Sequence, residues 1–222
     1  MSVLKRVALG AAATTLVTTA VAAGGPATAS EIKIKAPVTG STTVKKTDTT
    51  LKLPKGSRMT SSLILPGGKL RKGKLEVPQI TAHIKAAGIV PIVSKVNLRQ
   101  TKNIRGQILQ KGKNRGHLKA TAHNRIAIPF AAVDFPLLDG INIVQDTCTT
   151  VPFEIKLLSV DKLNLEKKIK IKTTFTIPKF DKCDIANVPP FDLRDTLLTQ
   201  LMSGPGNKLN LKIGPIESNA NG

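Results

Sequence analysis

Along most of the chain, apolar and polar residues alternate with a period of two, the pattern of strands that bury one face. Glu31-Ile32-Lys33-Ile34-Lys35 alternates cleanly, as does Thr49-Thr50-Leu51-Lys52-Leu53. Leu63-Ile64-Leu65, the turn Pro66-Gly67-Gly68 and Lys69-Leu70 together predict a hairpin. Further strands are predicted at 79–85, 89–98, 104–109, 118–128, 152–158, 168–177 and 207–213. Within 118–128, Leu118, Ala120, Ala122, Ile126 and Ile128 share one face. Within 168–177, Ile169, Ile171 and Thr173 oppose Lys168, Lys170 and Lys172. Proline marks strand ends at Pro54, Pro66, Pro78, Pro129, Pro152 and Pro178, because it cannot donate to a ladder.

One stretch changes period. After Pro189-Pro190, Asp192 can cap a turn, and Leu193, Thr196, Leu197, Gln200 and Leu201 follow at helical spacing until Ser203-Gly204-Pro205-Gly206 stops them. Many short strands with Gly and Pro turns and a single short C-terminal helix predict an all-β fold, an antiparallel sandwich or barrel. No linker divides residues 30–216, which read as one β domain, and the small polar run 217–222 reads as a disordered tail.

The N-terminal 1–29 segment breaks the alternation altogether. Lys5 and Arg6 precede an apolar run from Val7 to Ala23, Gly24-Gly25-Pro26 ends it, and Ala27-Thr28-Ala29 supplies a small-x-small cleavage pattern. The run falls short of the ~20 apolar residues that span a bilayer, so 1–29 reads as a cleavable signal peptide for secretion rather than an anchor. No cysteine near the cleavage site offers a lipid attachment, and no later run offers a transmembrane segment. Cys148 and Cys183 both lie in the exported part, where an oxidising compartment favours their pairing.

Charge changes the picture more than any motif. The chain carries a formal charge of +20. From Thr49 to Val133 the only acid is Glu76 among seventeen Lys and Arg, whereas from Asp134 onward eleven acids balance eleven bases. In alternating strands, charges gather on the outward side. Lys69, Arg71, Lys85, Lys119 and Arg125 are therefore the candidate anion-binding residues, with His83 and His117 beside them. The matching partners are anionic envelope polymers or a lipid surface. Nucleic acid fits less well: the chain has no Trp or Tyr, and all six Phe fall at or after Phe130, outside the basic stretch, so a base-stacking platform is missing.

Three segments carry a resemblance: Asp146-Thr147-Cys148-Thr149-Thr150-Val151-Pro152, Thr176-Ile177-Pro178-Lys179-Phe180-Asp181-Lys182-Cys183, and Ser203-Gly204-Pro205-Gly206-Asn207-Lys208-Leu209. With Pro66-Gly67-Gly68, they make the chain resemble a group of small exported actinobacterial proteins of uncharacterised function. The resemblance implies export, an all-β domain and a Cys148–Cys183 bond, and implies no activity or ligand. The high lysine content departs from that group, which is richer in Thr and Gly.

Catalytic chemistry finds little footing. No G-x-S-x-G, P-loop or dinucleotide fingerprint occurs, and no cofactor is expected. His117 and His123 share a strand face with Lys119 and Arg125, a cationic setting that disfavours a metal ion, and His83 stands next to Lys85 on a polar face. Asp134 and Asp139 flank Phe135-Pro136-Leu137-Leu138 and read as strand ends or turn caps rather than a catalytic pair. The expectation is a non-enzymatic, secreted, envelope-associated protein with a basic face. The alternative is a carrier of a hydrophobic, lipid-like ligand in a β-barrel or cup, for which 126–144 supplies apolar side chains. A secreted hydrolase ranks third.

Overall fold

A computed structural model describes residues 29–86, 90–134, 142–144, 148–183 and 196–219. Residues 1–28 of the expected signal peptide, Asp139, Asp146 and the helix start at Asp192 lie outside the described residues. Thirteen strands and one helix follow in chain order: β1 Ser30–Val44, β2 Thr49–Lys52, β3 Arg58–Leu65, β4 Lys69–Glu76, β5 Ile80–Ala86, β6 Val90–Ile108, β7 Leu118–Val133, β8 Thr149–Thr150, β9 Phe153–Leu158, β10 Ile169–Ile177, β11 Phe180–Asp181, α1 Thr196–Met202, β12 Gly204–Ile213 and β13 Glu217–Asn219. The fold is all-β, one curled antiparallel sheet with a single short helix among the described residues.

The sheet runs β10-β12-β1-β3-β4-β6-β7, and β9 pairs with β7 on its far side. Curling brings β9 back towards β10. They meet at one bridge, Ser159 to Ile171, reinforced by Val160 N–H donating to Lys170 O at 2.8 Å and Thr173 Oγ1 donating to Lys156 O at 2.8 Å. Around this seam the predicted alternation holds: Ile169, Ile171, Ile155, Leu157, Leu211 and Ile213 point in and are buried, while their neighbours face out. Where β12 crosses β1, a Cβ on Gly40 would stand 2.1 Å from Asn210 O, and φ there is +146°, so only glycine serves.

The interior divides into two apolar clusters. The barrel lobe contains Ile34, Ala36, Val38, Met59, Leu70, Ile104, Ala120, Ile155, Ile171 and Ile213. The disulfide lobe contains Val44, Leu51, Ile80, Ile84, Ile92, Ile128, Cys148, Phe180, Cys183 and Met202. The long hairpin β6–β7 runs through both. Its far end pairs with β5, and its near end with β4 and β9. Cys148 and Cys183 form a disulfide, with 0% and 1% exposure. That bond fits an oxidising environment.

Two expectations are revised. The strands predicted at 89–98 and 104–109 are one strand, β6, carried through the polar run 99–103 by register shifts against β7. Gln100 makes this possible where β4 bulges away. Its Oε1 accepts from Leu75 N–H at 2.7 Å, and its Nε2 donates to Gly73 O at 2.7 Å, replacing ladder bonds. The expected disordered tail begins instead with β13, whose Glu217–Asn219 pair with Lys33–Lys35. β1 offers ladder groups there because β12 has ended at Ile213. Among the described residues no helix is long and apolar enough to cross a membrane.

Candidate functional site

Strand register decides which outward cations become neighbours. Lys69 on β4 lies opposite Gln107 on β6, Gln107 lies opposite Lys119 on β7, and Lys119 lies opposite Leu158 on β9. One residue along from the Ser159–Ile171 bridge, Leu158 stands beside Lys172, and Lys172 lies opposite Asn210 on β12. The next row reads Arg105, Thr121, Lys156, Thr174, Lys208. Each row thus alternates cation and neutral residue, and the two rows are offset by one strand, so the cations form a chequerboard. With strands about 4.8 Å apart, cations within a row stand about 10 Å apart, and diagonal ones about 7–8 Å. Neutral spacers avoid the destabilising like-charge pairs that direct opposition produces.

Four of these cations, Lys119, Lys156, Lys172 and Lys208, line one shallow groove of about 720 Å³ over the β9–β10 seam. All four are exposed, and among the described residues none is paired with a carboxylate. The nearest outward acids along the strands are engaged elsewhere. Glu154 lies 3.4 Å from His123, and Asp161 lies 3.7 Å from Lys170. A neighbouring depression of about 890 Å³ extends the basic surface through Lys162, Lys167 and Lys168. There His117 Nδ1–H donates to Ser159 O at 2.9 Å, fastening β7 to the end of β9.

The five residues singled out from the sequence do not form one patch. Lys69 and Lys119 share a row, and Arg71 stands exposed two residues along β4 from Lys69. Lys85 is exposed but lies opposite Pro91, sixteen residues along β6 from Gln107, the partner of Lys69. That is about 50 Å of straight strand at 3.3 Å per residue. Arg125 is half-buried opposite Arg99, and its Nε is buried without a hydrogen-bond partner. Three contributors escaped the sequence reading: Lys156, Lys172 and Lys208. They come from the half of the chain where acids and bases balance, and the balance hides them because the sheet sorts charge by face, not by position along the chain.

The remaining candidates are scattered. His83 is exposed, and His123 has an acid neighbour in Glu154 that sequence distance concealed. Among the described residues no group of three or more His, Cys, Asp or Glu converges as metal ligands would. Asp134 is exposed at the end of β7, its backbone N–H donating to Pro91 O at 2.9 Å. Comparison of the chain with protein-family models, with curated proteins and with solved structures gives no match.

Proposed function

We propose that this is a non-enzymatic exported protein that binds anionic polymers or membrane surface of the cell envelope through the cationic outer face of β7, β9, β10 and β12. The observation that carries the reading is the groove lined by Lys119, Lys156, Lys172 and Lys208 with no paired carboxylate among the described residues. Exposed lysines that are not neutralised internally present their full charge to a partner. A row of charges about 10 Å in pitch suits a repeating polyanion or a surface of headgroups better than a single small anion. The export pattern at 1–29 and the disulfide support the same compartment.

Co-sedimentation with purified envelopes and with anionic vesicles across a salt series tests this. Each lysine near an anionic surface contributes about 1 kcal/mol, so changing all four groove lysines to Gln should weaken binding by roughly a thousandfold at low salt. Lys85→Gln, remote from the groove, should change it little. Wild-type binding that is absent at low salt or indifferent to salt rejects the reading, as does a quadruple variant that binds like wild type. The carrier alternative has one observation behind it, an apolar cavity of about 90 Å³ between the two clusters. Pockets that enclose a drug-sized ligand run to about 300–1,000 Å³, so the cationic face is the stronger reading.

A further inference from the structure

The inward face of β7 carries one residue out of character. Its buried positions read Leu118, Ala120, Ala122, Asn124, Ile126, Ile128, so an amide occupies an apolar phase. Asn124 is 2% exposed and lines the cavity of about 90 Å³ where the barrel lobe and the disulfide lobe meet. Among the described residues its side-chain amide has no hydrogen-bond partner. Buried amides are kept in proteins where something completes their hydrogen bonds. The other polar side chain in the wall, Thr42, already donates its hydroxyl to Lys208 O at 3.1 Å. The rest of the lining is aliphatic, aromatic or methionine, and no charged group takes part.

The wall has one aromatic section. Phe153 on β9 lies directly opposite Asn124 and stacks on Phe175 of β10, ring centroids 6.1 Å apart and planes within 9°. Both rings are half-buried, and both pack against the two clusters. They lie past the hydrogen bond from Thr173 to Lys156, where no further backbone bond joins β9 to β10 among the described residues. Rings rather than ladder therefore line the cavity there.

We propose that this cavity binds a small neutral molecule with an apolar body and one hydroxyl or carbonyl, which pairs with the Asn124 amide after entry past Phe153 and Phe175. An ionised ligand is disfavoured because no cation lines the wall to offset its desolvation. An engineered apolar cavity of about 150 Å³ takes the six carbons of benzene, so about 90 Å³ suits roughly four non-hydrogen atoms. The site is separate from the cationic face and does not depend on it.

The probes are propan-1-ol, its apolar analogue butane, and acetate, each titrated into the full chain while the side-chain methyl NMR signals of Ile126, Met202 and Leu211 are followed. Propan-1-ol should shift them saturably, and acetate should leave them unmoved. A hydroxyl that leaves water without finding a partner is strongly disfavoured, so the ratio of propan-1-ol to butane affinity reports on the amide. Asn124→Leu keeps the branched shape without the amide, and Asn124→Ala enlarges the space without it. In either variant that ratio should fall by about tenfold or more, so the question is answered even if one of the two does not fold. A ratio that stays at its wild-type value in a folded variant overturns the proposal. So does the absence of any shift with propan-1-ol, which would mean that water alone completes the amide. The quadruple lysine-to-Gln variant should bind propan-1-ol like wild type.

Discussion

The two lobes share the β6–β7 hairpin and solve the same problem differently. The barrel lobe satisfies its backbone almost wholly through ladders, β10 to β12 to β1 to β3 to β4. In the disulfide lobe β5, β6 and β7 keep their ladders, but beyond β7 these thin out to β8 and β11, two residues each, and side chains take over. Thr150 Oγ1 accepts from Ile126 N–H, Thr149 Oγ1 donates to Ile126 O, and Asn142 Oδ1 accepts from Ala131 N–H. Thr199 and Ser203 fasten α1 and its exit to Phe180 N–H and Pro178 O. The Cys148–Cys183 bond sits in the middle of these contacts. A sheet with few rungs needs cross-links of another kind, and the sequence supplies them as hydroxyls, amides and one covalent bond.

Breaking the disulfide should separate the lobes most clearly. Its cysteines are 35 residues apart, and the chain-entropy estimate for closing such a loop is roughly 3–4 kcal/mol. Replacing both cysteines with Ala should lower the denaturation midpoint accordingly. Amide exchange should rise first at Ile126, Ile128, Phe180 and Cys183→Ala, while Ile34, Ile171 and Ile213 stay protected until global unfolding. Uniform loss of protection across both clusters would show that the lobes unfold as one unit and that the contrast between them is only architectural.

A smaller effect sharpens the comparison from the other side. Gln100 is the barrel lobe's own use of a side chain in place of a ladder, and Gln100→Leu strands Leu75 N–H and Gly73 O. A cost of about 1–3 kcal/mol is expected in denaturant titration. A change within a few tenths would mean that solvent satisfies the β4 bulge unaided.

The smallest effect is set by pH. Hydrogen bonds from Ser62 and Lys72, with the charge of Lys72, hold the Glu31 carboxyl below its ordinary value. A depressed carboxyl contributes stability above its unfolded pKa and loses it as pH falls through the folded pKa. The stability difference between wild type and Glu31→Gln should therefore be slight near neutrality and vanish in acid. NMR titration of Glu31 that shows no depression would refute this.

Alternation made the strands legible, because each buries one face and the side chains record it. The β3–β4 hairpin followed from Pro66-Gly67-Gly68 for the same local reason. The continuity of β6 was not legible: residues 99–103 are polar on both phases, and only Gln100 reaching across to β4 reveals why they stay extended. β13 was hidden because its residues have no strand character of their own and are held by an edge that β1 provides. For the candidate site, the sign of the surface charge could be read but its location could not. Lys119 gains Lys156, Lys172 and Lys208 as neighbours only when β9, β10 and β12 curl round to it. Asn124 was passed over in the sequence, although it interrupts the apolar phase between Ala122 and Ile126; an exposed asparagine at a strand bulge would leave the same pattern, and only its burial tells the two apart.

The pairing of β13 with β1 also determines how the molecule responds to mechanical load. Asn219 lies across from Lys33, so both ends of the described chain leave from the same side of one antiparallel ladder. Tension applied between those ends peels the ladder one rung at a time instead of shearing all rungs together. β13 holds three residue pairs against β1, whereas β3 holds β1 over eight, from Ser30 to Pro37. The first yielding is therefore the release of β13 alone, a short extension that takes up slack while the barrel and the lysine-lined surface keep their shape.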